Sequence, residues 1–239
     1  MPERSSTSAL ILGAFILAGL ASLGYLGGNA ALQVKQLERS VTVKGLSERE
    51  YPADVVIWPI QFTAAGNDLG ELYTAIADSA EKIRAFLILN GIAPEEITLA
   101  APAITDKSAQ QYGNNTGAEF RYVANQSVTV YSQNIETVRG VMGALSDLGK
   151  QGIAFSGENY MGQTEYLFTR LNDVKPEMVE EATRNARAVA EKFAEDSGSR
   201  LGKIRQASQG QFTISDRDRN NPHIKKVRVV STVEYYLAD

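Results

Sequence analysis

The sequence predicts an α+β domain of about 200 residues that follows one N-terminal transmembrane helix. Three observations support this class. The chain opens with an uncharged apolar run, three later segments repeat apolar residues every three or four positions, and several short segments alternate β-branched with polar residues. Helical and strand periods mixed along one chain are typical of α+β folds. We expect the order ββαββαβαββ, with antiparallel or mixed strands and three amphipathic helices.

The apolar run is long enough to cross a membrane. The 18 residues from Ala9 to Leu26 carry no charge, and as a helix they would reach roughly 27 Å, close to the ~30 Å hydrocarbon layer. We therefore divide the chain into four parts: a tail at 1–8, a transmembrane anchor or uncleaved signal at 9–28, a linker at 29–39 and an extracytoplasmic domain at 40–239.

A cleaved secretory signal is the alternative interpretation of this run. Such signals have apolar regions of about 7–15 residues that end at small residues, and Gly28 and Ala30 could form a cleavage site. The greater length favours an anchor. Because short leaders such as the one containing Arg4 usually stay in the cytoplasm, we expect a single-pass membrane protein with its C-terminal domain outside the cytoplasm. Cleavage would instead release that domain from the membrane.

Charge and cysteine content exclude several classes of protein. The chain has 24 basic and 28 acidic side chains, a formal net charge of -4, and shows no run of like charge. This balance gives no footprint for a nucleic acid and no polybasic tail for lipid. The absence of cysteine excludes disulfides, thiolate metal sites and cysteine nucleophiles. Stability must therefore come from packing.

Two paired strands are predicted at the start of the domain, in "SVTVKGLS" and "ADVVIWPIQFTA". The second is apolar on both faces, and Pro59, which cannot donate to a ladder, belongs at an edge or a bulge. Aromatic residues in strands usually pack in a core, and the alternative is a subunit contact. The candidate interface residues are Val55, Ile57, Trp58, Pro59, Ile60 and Phe62.

The spacing of apolar residues, at steps of three and four, predicts three helices in the domain. The first is "NDLGELYTAIADSAEKIRAFLILNG", with Asp68 as its cap, and the second is "NIETVRGVMGALSDLG", with Asn134 as its cap. The third is expected at Val174 to Ser197. Its predicted inward stripe contains Met178, Ala182, Ala186, Val189 and Phe193.

Several of these segments resemble the SIMPL-domain family, which includes a bacterial periplasmic immunogenic protein. The similarity is carried by "LERSVTVKGLSEREYPADVVIWPIQF", the first helix, "LNDVKPEMVEEATRNARAVAEKFAEDSGSRLGKI" and "VRVVSTVEYYL", and it covers roughly Ser40 to Asp239. It implies an extracytoplasmic α+β domain that is prone to homo-oligomeric assembly, with links to envelope and oxidative stress. With the anchor retained, the resemblance implies a single-pass bacterial inner-membrane protein with its C-terminal domain in the periplasm. After signal cleavage, the domain would be secreted to the periplasm. The family offers no catalytic signature to transfer to individual residues.

A search for chemistry in the sequence identifies no catalytic, cofactor or metal site. His223 is the sole histidine, and no nucleophile elbow accompanies it. The segment "DRDRNN" places Asp216, Asp218 and Asn220 at calcium-loop spacing, but Asn221 stands where glycine is needed and Val227 where a bidentate glutamate is needed. We therefore expect a charged hairpin tip, and no enzyme.

The leading functional hypothesis is a membrane-anchored envelope scaffold or ring that works by self-association. The alternative is a binding or adaptor module whose loops 106–119 and 216–224 hold an envelope protein or other component. A third hypothesis is an unrecognised hydrolase that depends on His223. In every case the expected partners are a second copy, the membrane through Ala9 to Leu26, or an envelope protein, and not a nucleic acid.

Overall fold

The computed structural model describes residues 3–37, 39–109, 119–156 and 164–238. Its helices are α1 (Glu3–Leu37), α2 (Leu69–Leu89), α3 (Ile135–Ala144), α4 (Ser146–Gly149) and α5 (Leu171–Asp196). Its strands are β1 (Ser40–Pro52), β2 (Val55–Gly66), β3 (Ile97–Leu99), β4 (Ala103–Asp106), β5 (Tyr122–Ser132), β6 (Ala154–Phe155), β7 (Glu165–Leu167), β8 (Arg200–Gln209), β9 (Thr213–Asp216) and β10 (Ile224–Ala238).

The N-terminal helix α1 contains the apolar run predicted from the sequence. Within it, Leu10–Ala31 is long and apolar enough to cross a membrane, and none of this stretch is buried against the rest of the chain. At 1.5 Å per residue, a stretch of this length spans the ~30 Å hydrocarbon layer. An apolar helix with no protein cover is suited to a lipid environment, as an anchor or as a signal segment.

The α+β class is confirmed, but the element order is more finely divided than expected. Within the described part of the chain, the strands form two antiparallel sheets, and four α-helices follow α1 instead of three. The segment "EEITLAAPAIT" forms two short strands, β3 and β4, because Pro102 between them cannot donate to a ladder. The second helix ends at Ala144 and is followed by the one-turn helix α4.

The chain forms two compact units, each built from separate segments. Unit 1 comprises Met1–Glu48, Lys175–Phe212 and Arg228–Asp239, and unit 2 comprises Arg49–Val174 and Thr213–Val227. The first sheet has the strand order β1-β10-β8, with β9 also paired to β10. The second has the order β3-β5-β2-β6, with β4 on β5 and β7 on β2.

Unit 2 has the larger core, in which α2 covers one face of the β2-β5 pair. The Asp68 side chain accepts the Glu71 N–H at 2.9 Å and begins α2, as predicted. Apolar residues at three- and four-residue steps then face the sheet. The helix contributes Leu72, Ile76, Ala80, Ile83 and Leu87 to a cluster that also contains Trp58, Ile60, Phe62, Val128 and Val130.

Unit 1 is built on a close contact between α5 and β1. The buried stripe of α5 recurs every four residues and consists of Met178, Ala182, Ala186, Ala190 and Ala194. These small side chains let the helix approach Gly45, where a Cβ would overlap the Ala182 carbonyl and the Ala186 amide. The prediction that Val189 and Phe193 face inward was wrong, since both are exposed. The alanines displace them because only small side chains fit at this distance.

Candidate functional site

The structure places the predicted interface strand in the interior of unit 2. The side chains of Trp58, Ile60 and Phe62 are buried on one face of β2. On the other face, Val55 is buried and Ile57 and Pro59 are half-buried. This burial corresponds to the core interpretation of the aromatic residues. Since four of the six side chains present no surface to another chain, we look for a candidate interface elsewhere.

Pro59 is accommodated in a central strand by a local gap in the pairing. The Gln61 carbonyl accepts the Ser156 N–H at 3.0 Å, so odd-numbered residues of β2 face the β6 and β7 side. On that side, β7 pairs with residues 55–57 and β6 with residues 62–63. Pro59 has no N–H to donate, and on this side of β2 its position lies in the interval between residues 57 and 62, which pairs with none of the described strands.

The outer edge of β1 in unit 1 is a candidate contact surface. The Arg39 carbonyl accepts the Leu237 N–H of β10 at 2.9 Å, so odd-numbered residues of β1 face β10 and the backbones of Thr42 and Lys44 face away from it. Asn185 Nδ2 donates to the outward Leu46 carbonyl at 2.8 Å. Within the described residues, no strand pairs with this edge.

Two exposed apolar side chains of α5 lie on the same flank as this edge. Val189 and Phe193 follow Asn185 at four-residue steps and are 41% and 56% exposed. The buried stripe of α5 lies over both strands, since Ala186 and Ala190 pack with Val43 of β1 and with Val233 and Tyr235 of β10. We call Thr42, Lys44, Val189 and Phe193 together the β1 edge surface.

The other edge of the same sheet, β8, differs in character. It carries three basic residues, Arg200, Lys203 and Arg205, and register irregularities interrupt its pairing with β10 near Tyr235. Basic side chains and bulges discourage further strand pairing. Although Ile204 is half exposed, β8 is therefore protected against pairing with a further strand, and we call it the guarded edge. β1 lacks this protection, and we call it the open edge.

The structure describes only part of loop 106–119 but all of loop 216–224, the two loops that we expect to bind a partner. Of loop 106–119, residues 110–118 lie outside the described residues. Its base is held by Arg121, which donates to both oxygens of Asp106 at distances of 2.8–3.2 Å. These hydrogen bonds, followed by those from Ser108, lower the pKa of Asp106 well below its usual range.

Loop 216–224 connects β9 to β10 and is ordered by its own side chains. The Asp218 carboxylate accepts the backbone N–H groups of Asn220 and Asn221, each at 2.9 Å, and Arg217 Nε at 2.9 Å. The Arg217 bond, followed by the bonds from Asn221 and Asn220, lowers the pKa of Asp218 to about 2. Asp216 forms an ion pair with Lys225. Asp216 and Asp218, the carboxylates at calcium-loop spacing, are thus both bonded to donor groups of the protein itself.

The end of this loop lines a cavity of about 430 Å³ in unit 2, which we call the His223 pocket. The His223 carbonyl accepts the Ala53 N–H at 2.8 Å, which fixes the end of the loop. The His223 ring meets Tyr166 edge to face, with 6.0 Å between the ring centroids. The pocket is lined by residues from α3, the β7 region and the loop: Arg139, Met142, Gly143, Thr164, Tyr166, Arg219, Asn220, Pro222 and His223.

The ring groups of the pocket are held in their neutral forms. Burial, followed by the positive charge of Arg139, lowers the pKa of His223, so its imidazole is uncharged at neutral pH. Burial raises the pKa of Tyr166, which remains a phenol. Its hydroxyl contacts the Met142 sulfur at 3.9 Å. The fixed charges lining the pocket are therefore the two guanidinium groups.

Sequence reasoning singled out His223 but not the side chains that meet it. Arg139 belongs to the polar side of a helix and Tyr166 to a short strand, and both are far from residue 223 in the chain. No spacing in the sequence connects them.

The outward position of Phe193 could have been predicted from the sequence. The four-residue repeat of alanines in α5 indicates that the alanine stripe makes a close helix contact.

Comparison with known proteins identifies the family. A family model described as SIMPL, protein of unknown function (DUF541), matches residues 41–234. The chain belongs to the SIMPL family. A search of curated proteins gives no match. The SIMPL match covers β1 to β10 almost completely and begins just after α1, so the two units together make up the SIMPL domain.

Proposed function

We propose that this SIMPL-family protein is a membrane-anchored scaffold of the bacterial envelope that works by self-association and catalyses no reaction of its own. Its basic contact is antiparallel pairing of the β1 edges of two copies. The single observation that carries the proposal is the β1 edge surface, an open strand edge flanked by exposed Val189 and Phe193. Two copies related by a two-fold axis present the same edge to each other.

The chemistry of this surface favours a second copy as the occupant. Outward N–H and C=O groups of Thr42 and Lys44 supply complementary hydrogen bonds in an antiparallel pair. Pairing of Thr42 of one copy with Lys44 of the other also avoids placing two lysines opposite each other. Val189 and Phe193 would then lie beside their equivalents and lose their exposure to water.

The N-terminal helix supports assembly by restricting where the copies can move. α1 ends at Leu37 and β1 begins at Ser40, so a membrane-embedded α1 holds the β1 edge close to the bilayer surface. Tethering raises the effective concentration of weakly associating domains. We place α1 in the inner membrane and the domain in the periplasm, supported by the short leader and the apolar length of α1.

Cysteine cross-linking tests the contact, and the chain has no native cysteine to interfere. Thr42→Cys and Lys44→Cys are made separately, and membranes carrying each variant alone or both together are oxidised. We expect a disulfide-linked dimer in at least one arm, because paired edges bring Cα atoms within the 4.4–6.8 Å that a disulfide needs. Ser208→Cys on the guarded edge β8 is the control. No dimer in any arm, or an equal yield for Ser208→Cys, would contradict the proposed contact.

A further inference from the structure

Among the described residues, the His223 pocket is lined by side chains that carry hydrogen-bond donors and by no carboxylate. Arg139, Arg219 and Asn220 supply N–H donors, while the Tyr166 hydroxyl donates to the Met142 sulfur. The Thr164 hydroxyl oxygen is buried and makes no hydrogen bond with the described residues. Buried polar groups are nearly always paired, so a ligand in the cavity would complete the hydrogen bonding of this hydroxyl.

Counted over the residues that the structure describes, the positive charge of the pocket exceeds the negative charge that faces it. Arg219 has no ion pair among the described residues, and Arg139 is 3.4 Å from Glu136, a side chain that is 84% exposed. The next acidic group, Asp218, is bonded to Arg217 and to the loop backbone. An exposed ion pair contributes little. The two guanidinium groups are therefore available to bind an anion.

The rest of the wall is suited to the carbon part of a ligand. Met142 and Pro222 are apolar, and the rings of Tyr166 and His223 present flat faces or edges. The cavity, at about 430 Å³, falls within the range of small-molecule sites. It is much larger than an inorganic ion requires, which indicates an organic ligand with one anionic group.

We propose that the His223 pocket binds a small organic anion, a carboxylate or a phosphate monoester, whose oxyanion is held by Arg139 and Arg219. Guanidinium groups match the planar edge of both oxyanions. The Thr164 hydroxyl donates to the ligand, and the carbon part packs on Met142 and Pro222. This inference is independent of the self-association proposed above, because the β1 edge surface and the pocket belong to different units.

The single histidine provides a direct reporter of binding. In the full-length chain in detergent micelles, labelled with ¹³C-histidine, the ring signal of His223 is titrated with phenyl phosphate, benzoate and, as the neutral control, phenol. We expect phenyl phosphate or benzoate to shift the signal with saturation and to raise the pKa of His223. Groups already acting on this ring are Arg139 and Glu136 of α3 and Arg217 and Asp218 of the loop. An added anion beside it stabilises the imidazolium.

Variants separate an anion site from an apolar cavity. Arg219→Gln should weaken binding of the anionic probe about tenfold, the amount expected for one charged hydrogen bond, while Arg219→Lys should retain part of the affinity. Arg184→Gln is the control, because Arg184 pairs with Glu180 on α5 in unit 1, whereas the pocket belongs to unit 2. Equal binding of phenol and phenyl phosphate, unchanged affinity in Arg219→Gln, or no shift of His223 with either anion would overturn the proposal. Binding of only one anion would identify its class.

Discussion

Gly45 is the residue at which the packing of unit 1 leaves the least room. The α5 backbone passes directly over it, at Ala182 and Ala186. Glycine is required here for the close approach and not for an unusual backbone angle, since its φ is not positive. Even one added methyl group must push the helix away from β1.

Gly45→Ala tests this packing. We expect a loss of unfolding free energy of about 3 kcal/mol, at the upper end for overpacking, because the new methyl group meets backbone and not a flexible side chain. The measurement is denaturant unfolding of the full-length chain followed by circular dichroism. Gly140→Ala in α3 is the matched control, since nothing lies within 4 Å of its added Cβ. If both variants were equally stable, α5 would not pack as closely as described.

At the scale of single residues, the sequence predicts helix caps well but does not predict which side chains meet in the folded protein. The caps Asp68 and Asn134 were predicted from local spacing, and both accept the expected N–H groups. Local spacing suffices because a cap and its partner are three residues apart. The His223 pocket could not be predicted in this way, since Arg139, Tyr166 and His223 are brought together only by the tertiary fold.

The helix α5 has two apolar flanks and buries only the one that carries the alanines. Its alanines every four residues fit the narrow space over β1, and the larger Val189 and Phe193 are left on the edge flank. Apolar spacing alone could not decide between the two stripes, because residues three and four apart both satisfy the helical period. The strands were harder to predict, as the split between β3 and β4 at Ala100–Pro102 shows.

Phe193→Glu tests the role of the exposed flank. Phe193 is 56% exposed, so the variant should fold normally, while facing charges at the two-fold contact should reduce the assembled fraction at least tenfold. Light scattering of the detergent-solubilised protein reports the mass, and circular dichroism checks the fold. Leu89→Glu in α2 is the control, because Leu89 is 85% exposed and belongs to unit 2. Equal effects of the two variants would refute a specific contact at α5.

The whole molecule has an apolar N-terminal helix, a SIMPL domain whose residues belong to two units, and an open strand edge at β1. The α+β class and the apolar helix were predictable from periodicity, which is a local property. The division into two units was not predictable, since each unit is assembled from segments far apart in the chain. The contact surface depends on that division, because β1 and α5 meet only in the folded protein.

Native mass spectrometry of the protein, extracted in mild detergent from its own membranes, tests the central claim most directly, because one spectrum reports both the chain mass and the assembly mass. The account predicts an intact chain of 25.9 kDa in assemblies with an even number of copies, as two-fold pairs require. A chain shortened to begin near Ala30, present as a monomer, would contradict both the retained anchor and the self-association.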